Sequence, residues 1–445
     1  MIEYALLILY VIVGATMLVW GLQRVDRLFQ YPFLAGVGWI LFLLPQIIGL
    51  MRHPDRLPEG VVRDGAVALT LSVFIGCALA GFAGYCILPP SREDHRLSRP
   101  FEPTRLFVLG AVLLGASFLG YSGLASLCGG YLAYFTAEGS YRLTWSGRPV
   151  ACYFFLQLVF PGLACVFVSA LRKPHVLKWV TVALACVIPL GMVIFLGRRS
   201  VAVFLAMILG GGLFFERGWR PSRLAVAAAV LLGTAGVYLA PQYRQYSQLG
   251  GDWTAMRQID VKKSLHDVYD SKRSSEFEHA VVTIAGTFSE GRHGFGRGYY
   301  NAIVHQFVPR LIFGNAFKQS LYVDEPDLEE MTVQHYGWRP KYGSTLTGPG
   351  DGFREFSFGV IPIFGLIGFL FRVFWDSAYH RRSDLARLLY VLLAPLAIQT
   401  ATNTLHTVIP RVVYMIAYLM PVILCARMQT DAARHVPATR TETIP

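Results

Sequence analysis

Charge is what this sequence has least of. Only 15% of its 445 residues are Asp, Glu, Lys or Arg, against 54% hydrophobic, whereas a soluble domain carries roughly 25% charged residues. That shortage excludes the two or three water-soluble domains that the length alone would allow. Cysteine excludes more by position than by number. Cys77, Cys86, Cys128, Cys152, Cys165, Cys186 and Cys425 all lie in or beside apolar stretches, and none falls between 241 and 356. A disulfide-stapled ectodomain and a CxxC zinc site are both ruled out. The N-terminus carries Glu3 but no basic n-region, so the first apolar run is a poor signal peptide. No repeat of fixed period and no low-complexity tract is present.

What remains is apolar sequence in runs of about 20 residues, the length that crosses a hydrocarbon core of about 30 Å. The runs are 2–22, 32–51, 66–88, 104–127, 150–171, 175–197, 200–215, 223–240, 357–374, 385–404 and 407–426. They predict an all-α polytopic membrane protein with about eleven transmembrane helices. The run at 200–215 is short and contains Gly210, Gly211 and Gly212, so it is tilted, broken or packed inside the bundle.

Four parts follow: transmembrane helices 1–8 in 1–240, a large outer loop in 241–356 that contains amphipathic helices, helices 9–11 in 357–428, and a polar tail in 429–445. The net charge of +12 sits mostly in short loops beside the apolar runs, where anionic lipid accounts for it. Membrane lipid is therefore a partner and nucleic acid is not. The positive-inside rule sets the orientation. Arg24 and Arg27 follow the first run, and alternation places Arg92, Arg96 and Arg99, then Arg172, Lys173 and Lys178, then Arg217, Arg220 and Arg223, then Arg381, Arg382 and Arg387 on one side with Arg427 and Arg434. The N-terminus and the 241–356 segment are then outside and the C-terminus inside. Arg52, Arg56 and Arg63 run against the rule.

A segment of more than 100 residues is too long for a bare loop and is where function is sought. Phe277, Val281, Ile284 and Phe288 step at helical spacing, with His279, Thr283 and Glu290 opposite; a second amphipathic stretch runs from Tyr299 to Val308. Both read as helices on the membrane surface or capping the bundle. Between them lies GRHGFGRG, 291–298, which follows no strand and so is a poor phosphate loop.

Arginines gather at the predicted outer ends. Arg198 and Arg199 occupy the tight junction Gly197-Arg198-Arg199-Ser200, and Arg244, Arg310 and Arg411 lie near other outer ends. Guanidiniums there either snorkel as interfacial anchors or clamp a diphosphate, whose oxygens suit a planar fork.

The order of a GRR junction, a long outer loop, QFVPRLIFGNAFK and then GPGDGFREFSFGVIPIFG resembles Wzy-type O-antigen and exopolysaccharide repeat-unit polymerases, over roughly Gly197 to Gly368. Pro309-Arg310 and Lys318 match the family's VPR…KP stretch without its second proline. Arg354-Glu355-Phe356-Ser357-Phe358-Gly359 matches its acidic motif, with Ser357 where Asn is usual.

The resemblance implies a GT-C-type glycosyltransferase of the bacterial inner membrane that needs no cofactor. It would join glycans carried on undecaprenyl diphosphate, working with a chain-length regulator. Arg198, Arg199, Arg244, Arg310, Lys318, Arg354 and Arg411 are the candidates for the diphosphate, and Glu355, Asp351 and His335, then His305 and Glu278, for the base. The acidic run Asp324, Glu325, Asp327, Glu329 and Glu330 reads as a solvated loop sooner than a metal site, and His293, His305 and His335 are too scattered for zinc. The polar stretch Gln399, Thr400, Thr402, Asn403, Thr404, His406 and Thr407 is a hairpin or part of a glycan groove, and Tyr243, Tyr246, Tyr299, Tyr300, Tyr336, Trp338 and Tyr342 line that groove or form an interfacial aromatic belt. An O-antigen ligase or other lipid-linked glycan transferase is the alternative, and a polysaccharide transporter or flippase a further one.

Overall fold

A computed structural model of the chain describes residues 1–87, 100–136, 147–248, 276–308, 310–339 and 345–426, with five single positions between 251 and 262; the side chains at 237, 240, 241, 245, 311, 312, 328 and 329 are outside that description. Arg92, Arg96, Arg99, Pro309, Tyr342, Arg427, Arg434 and the tail at 429–445 fall outside the described residues.

Among the described residues, ten helices are long and apolar enough to cross a membrane. Seven precede the insertion: α1 (Ile2–Leu22), α2 (Tyr31–Arg52), α3 (Ala66–Cys86), α4 (Pro103–Cys128), α5 (Arg148–Arg172), α6 (Val176–Ile194) and α7 (Arg199–Arg217). Next comes α8 (Arg223–Tyr246), apolar only over Arg223–Gly236. The insertion folds into α9 (Glu276–Glu290), α10 (Arg297–Phe307), α11 (Leu328–Tyr336) and α12 (Gly348–Phe356). A 3-10 turn at Ser357–Gly359 leads from α12 into α13 (Val360–Tyr379), followed by α14 (Asp384–Thr402) and α15 (Leu405–Cys425). The short run at 200–215 is one unbroken helix, α7, of 19 residues.

Two features show how the chain satisfies its backbone without water. Within α2 the stretch Gly38–Leu43 is π-helical, a geometry that disturbs the regular ladder. Tyrosines from neighbouring helices answer it: the Tyr10 hydroxyl donates to the Trp39 carbonyl at 2.7 Å, and the Tyr238 hydroxyl donates to that of Leu41. The second feature is α8. At 24 residues it is about 36 Å long, enough to cross, and it is tied at both faces of the bundle. Arg223 Nη2 donates to the Gln23 carbonyl at 2.7 Å beside the end of α1, and Arg244 Nη2 donates to that of Gly197 at 3.2 Å between α6 and α7.

The loops predicted to share a side do meet. Arg172 grips Glu216 at 2.8 Å and Asp384 at 2.7 Å, Asp384 accepts the Phe101 N–H at 2.8 Å, and Arg387 reaches Glu216 at 3.4 Å. This ionic knot fastens the ends of α5, α7 and α14 opposite the insertion. Around the bundle, apolar side chains such as Ile8, Leu119, Leu184 and Leu231 are exposed, as lipid-facing positions are.

One part of the insertion departs from expectation. Instead of lying on the surface with a polar outer face, α9 is buried from Phe277 through Thr287, with His279 and Thr283 inside. The reason is that α3 packs against it from the bundle while α11 and α12 cover its other side. Only Phe288 of the predicted apolar stripe faces out.

A close helix crossing joins α3 and α13, which run parallel through glycines, the small-residue geometry that lets backbones meet in lipid. A Cβ on Gly84 would sit 2.0 Å from the Gly365 carbonyl oxygen, and one on Gly368 would sit 2.0 Å from that of Gly81. Backbone cannot swing aside as a side chain does. Gly84→Ala is expected to cost on the order of 1–3 kcal/mol, read as a lower melting temperature in detergent. The control is Gly115→Ala, whose Cβ meets nothing within 4 Å; equal melting temperatures for the two variants would refute the tight crossing.

Candidate active site

The site is built on α12. The Thr347 side chain caps its start by accepting the Gly350 N–H at 3.3 Å, and Pro349 suits the first turn. Glycine at 348 lets the helix press on α14, since a Cβ there would lie 1.8 Å from the Thr400 carbonyl oxygen. Asp351 and Glu355, four residues apart, share one face and are 0% and 1% exposed.

Each carboxylate has defined partners. Glu355 Oε1 accepts from Arg354 Nη2 at 2.7 Å and Oε2 accepts the Gly296 N–H at 2.9 Å. The GRHGFGRG loop therefore cradles a carboxylate of its own chain. Its glycines are required by closeness: a Cβ on Gly294 would lie 2.2 Å from Glu355 Oε2, and one on Gly298 would lie 2.4 Å from Oε1 and 3.0 Å from Glu325 Oε2. Asp351 reaches the other way. Its Oδ2 accepts the His406 N–H in the first turn of α15 at 3.0 Å. Its Oδ1 lies 3.2 Å from both Arg354 Nη2 and His406 Nδ1, in ion-pair range of each but aligned for a hydrogen bond with neither. Tyr299 closes the cluster. Its hydroxyl is buried without a hydrogen-bond partner among the described residues, and burial beside Asp351 and Glu355 pushes its pKa well up.

A second neighbourhood lies at the same end of the bundle. A cavity of about 40 Å³ is lined by Tyr153, Gln157, Arg198, Ser200, Arg411 and Met415, among others, room for about three waters. Arg411 Nη1 donates to Gln399 Oε1, and Arg198 Nη1 is 3.5 Å from the Tyr153 hydroxyl. Arg244 is within electrostatic range of Arg198 and Arg199, and Arg198 of Arg411. Arg199 lies 5.9 Å from the Phe42 ring centroid, near Glu276, whose carboxyl burial pushes up. Among the described residues, no carboxylate is within ion-pair distance of Arg198, Arg244 or Arg411. The two neighbourhoods adjoin, because Gln399, which holds Arg411, precedes the Thr400 that packs on the head of α12.

The other sequence candidates lie apart. His335 is on exposed α11, 3.1 Å from Glu290. Lys318 donates to the His305 carbonyl at 2.6 Å, His305 Nδ1 is 3.2 Å from the Tyr322 hydroxyl, and Arg310 is exposed on a short helix. Neither Lys318 nor Arg310 is joined to the arginine group by a hydrogen bond or ion pair among the described residues. Arg354 is in the acidic cluster, tied to two carboxylates. In the acidic run, Asp327 caps α11 through the Glu330 N–H at 3.1 Å, and no three potential metal ligands gather among the described residues. Sequence reading missed the Asp351–His406 contact, which joins residues 55 apart and leaves no local signal.

No protein-family model, curated protein or solved structure matches this chain.

The buried histidine of α9 makes stability depend on pH. Burial, with the Arg354 guanidinium nearby, pushes His279 from 6.5 down to about 4. Between those values the unfolded chain binds the extra proton and the folded chain does not, so stability present above pH 6.5 is lost as pH falls toward 4. The loss is at most about 3 kcal/mol. His279→Gln is expected to flatten the fall in melting temperature over that window; an unchanged slope would remove this assignment.

Proposed function

We propose that the protein is an integral-membrane glycosyltransferase that polymerises oligosaccharide repeat units carried on undecaprenyl diphosphate, at the periplasmic face of a bacterial inner membrane. One observation carries the reading: Arg198 and Arg411 line one cavity and meet no carboxylate among the described residues, at the bundle end where Asp351 and Glu355 are buried. Unpaired guanidiniums beside hydrocarbon are costly and mark an anion site. Breaking a glycosyl–phosphate bond develops negative charge on the diphosphate, and arginines already in place stabilise it as it forms. Arg199 and Arg244 add to the same field. The lipid anchor holds the donor at the boundary where these residues lie, and a chain-length regulator is the partner that the resemblance implies.

The orientation belongs to the same reading. Arg172, Arg217, Arg223 and Arg387 gather at the end opposite the insertion, which supports placing that end in the cytoplasm. A cysteine introduced at Asp327, on the exposed start of α11, should react with an impermeant reagent from the periplasmic side. Reaction only after permeabilisation would reverse the orientation.

Turnover tests the arginines. Arg198→Gln or Arg411→Gln should lower polymerisation by about 10²–10³-fold, and Lys at either position should recover only part, because a point charge cannot reproduce the bidentate fork. If both Lys variants make wild-type polymer at equal protein level, the arginines are anchors and the reading fails.

A further inference from the structure

We propose that His406 is the general base that deprotonates the acceptor hydroxyl and that Asp351 is its positioning residue, an inference that rests on the glycosyl-transfer reading. The five groups read from the sequence fit less well. Glu278 is buried in α9 and His305 meets the Tyr322 hydroxyl away from the cluster. Glu355 has both oxygens engaged, one by Arg354 and one by the Gly296 N–H, and is 1% exposed, so it holds the glycine loop in place. His335 is spent on Glu290 at the surface. Asp351 is fully buried and touches no solvent. His406 joins a buried carboxylate to an open face at this end of the bundle, with 30% of its side chain exposed.

Ring Nδ1 of His406 faces both a carboxylate and a guanidinium. Asp351 holds the residue twice, by Oδ2 on its backbone N–H and by Oδ1 3.2 Å from ring Nδ1. Arg354 Nη2 is 3.5 Å from the same nitrogen, within hydrogen-bond range; one of its two N–H groups goes to Glu355 and the other faces Nδ1. The proposed step uses the tautomer in which Nδ1–H meets Asp351 Oδ1 and the lone pair is on Nε2. Nε2 has no partner among the described residues. Asp351 Oδ1 is otherwise a buried oxygen without an aligned donor, and a small turn of the imidazole, of the kind a bound substrate imposes, satisfies it.

The step balances. The acceptor oxygen forms a bond to the anomeric carbon as that carbon's bond to phosphate breaks, and the electron pair leaves on the diphosphate. The hydroxyl proton passes to Nε2 and from there to water. Arg411 lies five residues beyond His406, about 7.5 Å along the axis of α15. One helix end thus presents the base on one flank and the anion site on the other.

Asp351 could instead serve only as a cap on the first turn of α15, so the test separates the two roles. Purified full-length protein is given lipid-diphosphate-linked glycans extracted from membranes of cells lacking it, and elongation, donor affinity and melting temperature are measured. His406→Gln should lower turnover by about 10²–10⁴-fold with donor affinity and melting temperature near wild type, and added imidazole should restore part of the activity of His406→Ala. Asp351→Asn keeps an acceptor for the α15 N–H. It should lower kcat with little change in KM and move the acidic limb of the kcat–pH profile to lower pH, because the imidazolium loses its counter-charge; a cap alone predicts an unmoved profile. Wild-type turnover in His406→Gln, or loss in Glu355→Gln with none in His406→Gln, overturns the base assignment and leaves glycosyl transfer intact. Absence of elongation by the wild-type protein instead overturns glycosyl transfer, and this inference with it.

Discussion

A charge in hydrocarbon must be paired, hydrated or carried to a boundary, and this one constraint decides where almost every ionisable group of the chain is found. Arg172 meets two carboxylates, Arg354 meets two, and Arg372 meets Asp376 at 3.3 Å. Against that pattern the arginines around Gly197 stand out. Arg198 and Arg411 are supported by a phenol, an amide and a small cavity. Neutral hydrogen-bond acceptors offset part of the desolvation cost and leave the positive charge uncancelled, which is the condition of a site awaiting an anion.

The insertion obeys the same constraint from the water side. A segment that enters from a polar loop would ordinarily place its charges outward. Here α12 carries two carboxylates into a fully covered position, and the surroundings supply what they need: a guanidinium between them, a glycine-loop N–H on one, a helix N-terminus on the other. The positive end of α15 and the Asp351 charge reinforce one another. Removing any of these partners would leave a carboxylate buried and uncompensated, so the loop, α12 and the head of α15 are bound to move as a unit.

Much of the architecture is legible in the sequence because lipid imposes long, unmistakable apolar runs. The ten crossing helices follow from run length, and α8 is found despite its polar second half. The interior of the insertion is less legible. The spacing of Phe277, Val281 and Ile284 marks α9 as a helix with an apolar stripe, but its far side is covered by elements distant in the chain, which no periodicity within α9 encodes. The GRHGFGRG glycines announce a close approach without saying to what; the partner, Glu355, lies more than 50 residues on. Arg198, Arg244 and Arg411 were readable as a group from their predicted ends. Arg310 shares that reading and Lys318 rests on the motif match, yet neither is joined to the group by a hydrogen bond or ion pair among the described residues.

The two neighbourhoods differ in charge, and the proposed reaction uses that difference. Arg198, Arg244 and Arg411 form a positive group with no carboxylate in ion-pair range among the described residues, whereas Asp351, Arg354 and Glu355 together carry one net negative charge around His406. As a glycosyl group moves, negative charge accumulates on the departing diphosphate and positive charge on the imidazole that takes the proton. Each develops where the protein already holds the opposite sign. Such a fixed field favours the transition state over the bound substrates, because it acts most strongly when the charges are most separated. Arg354 fits this division only as a partner of carboxylates: turned toward a phosphate, it would leave Glu355 and Asp351 repelling each other in a buried site. Its pairing keeps the acidic neighbourhood intact, and the task of meeting the diphosphate falls to the arginines that have no carboxylate to hold.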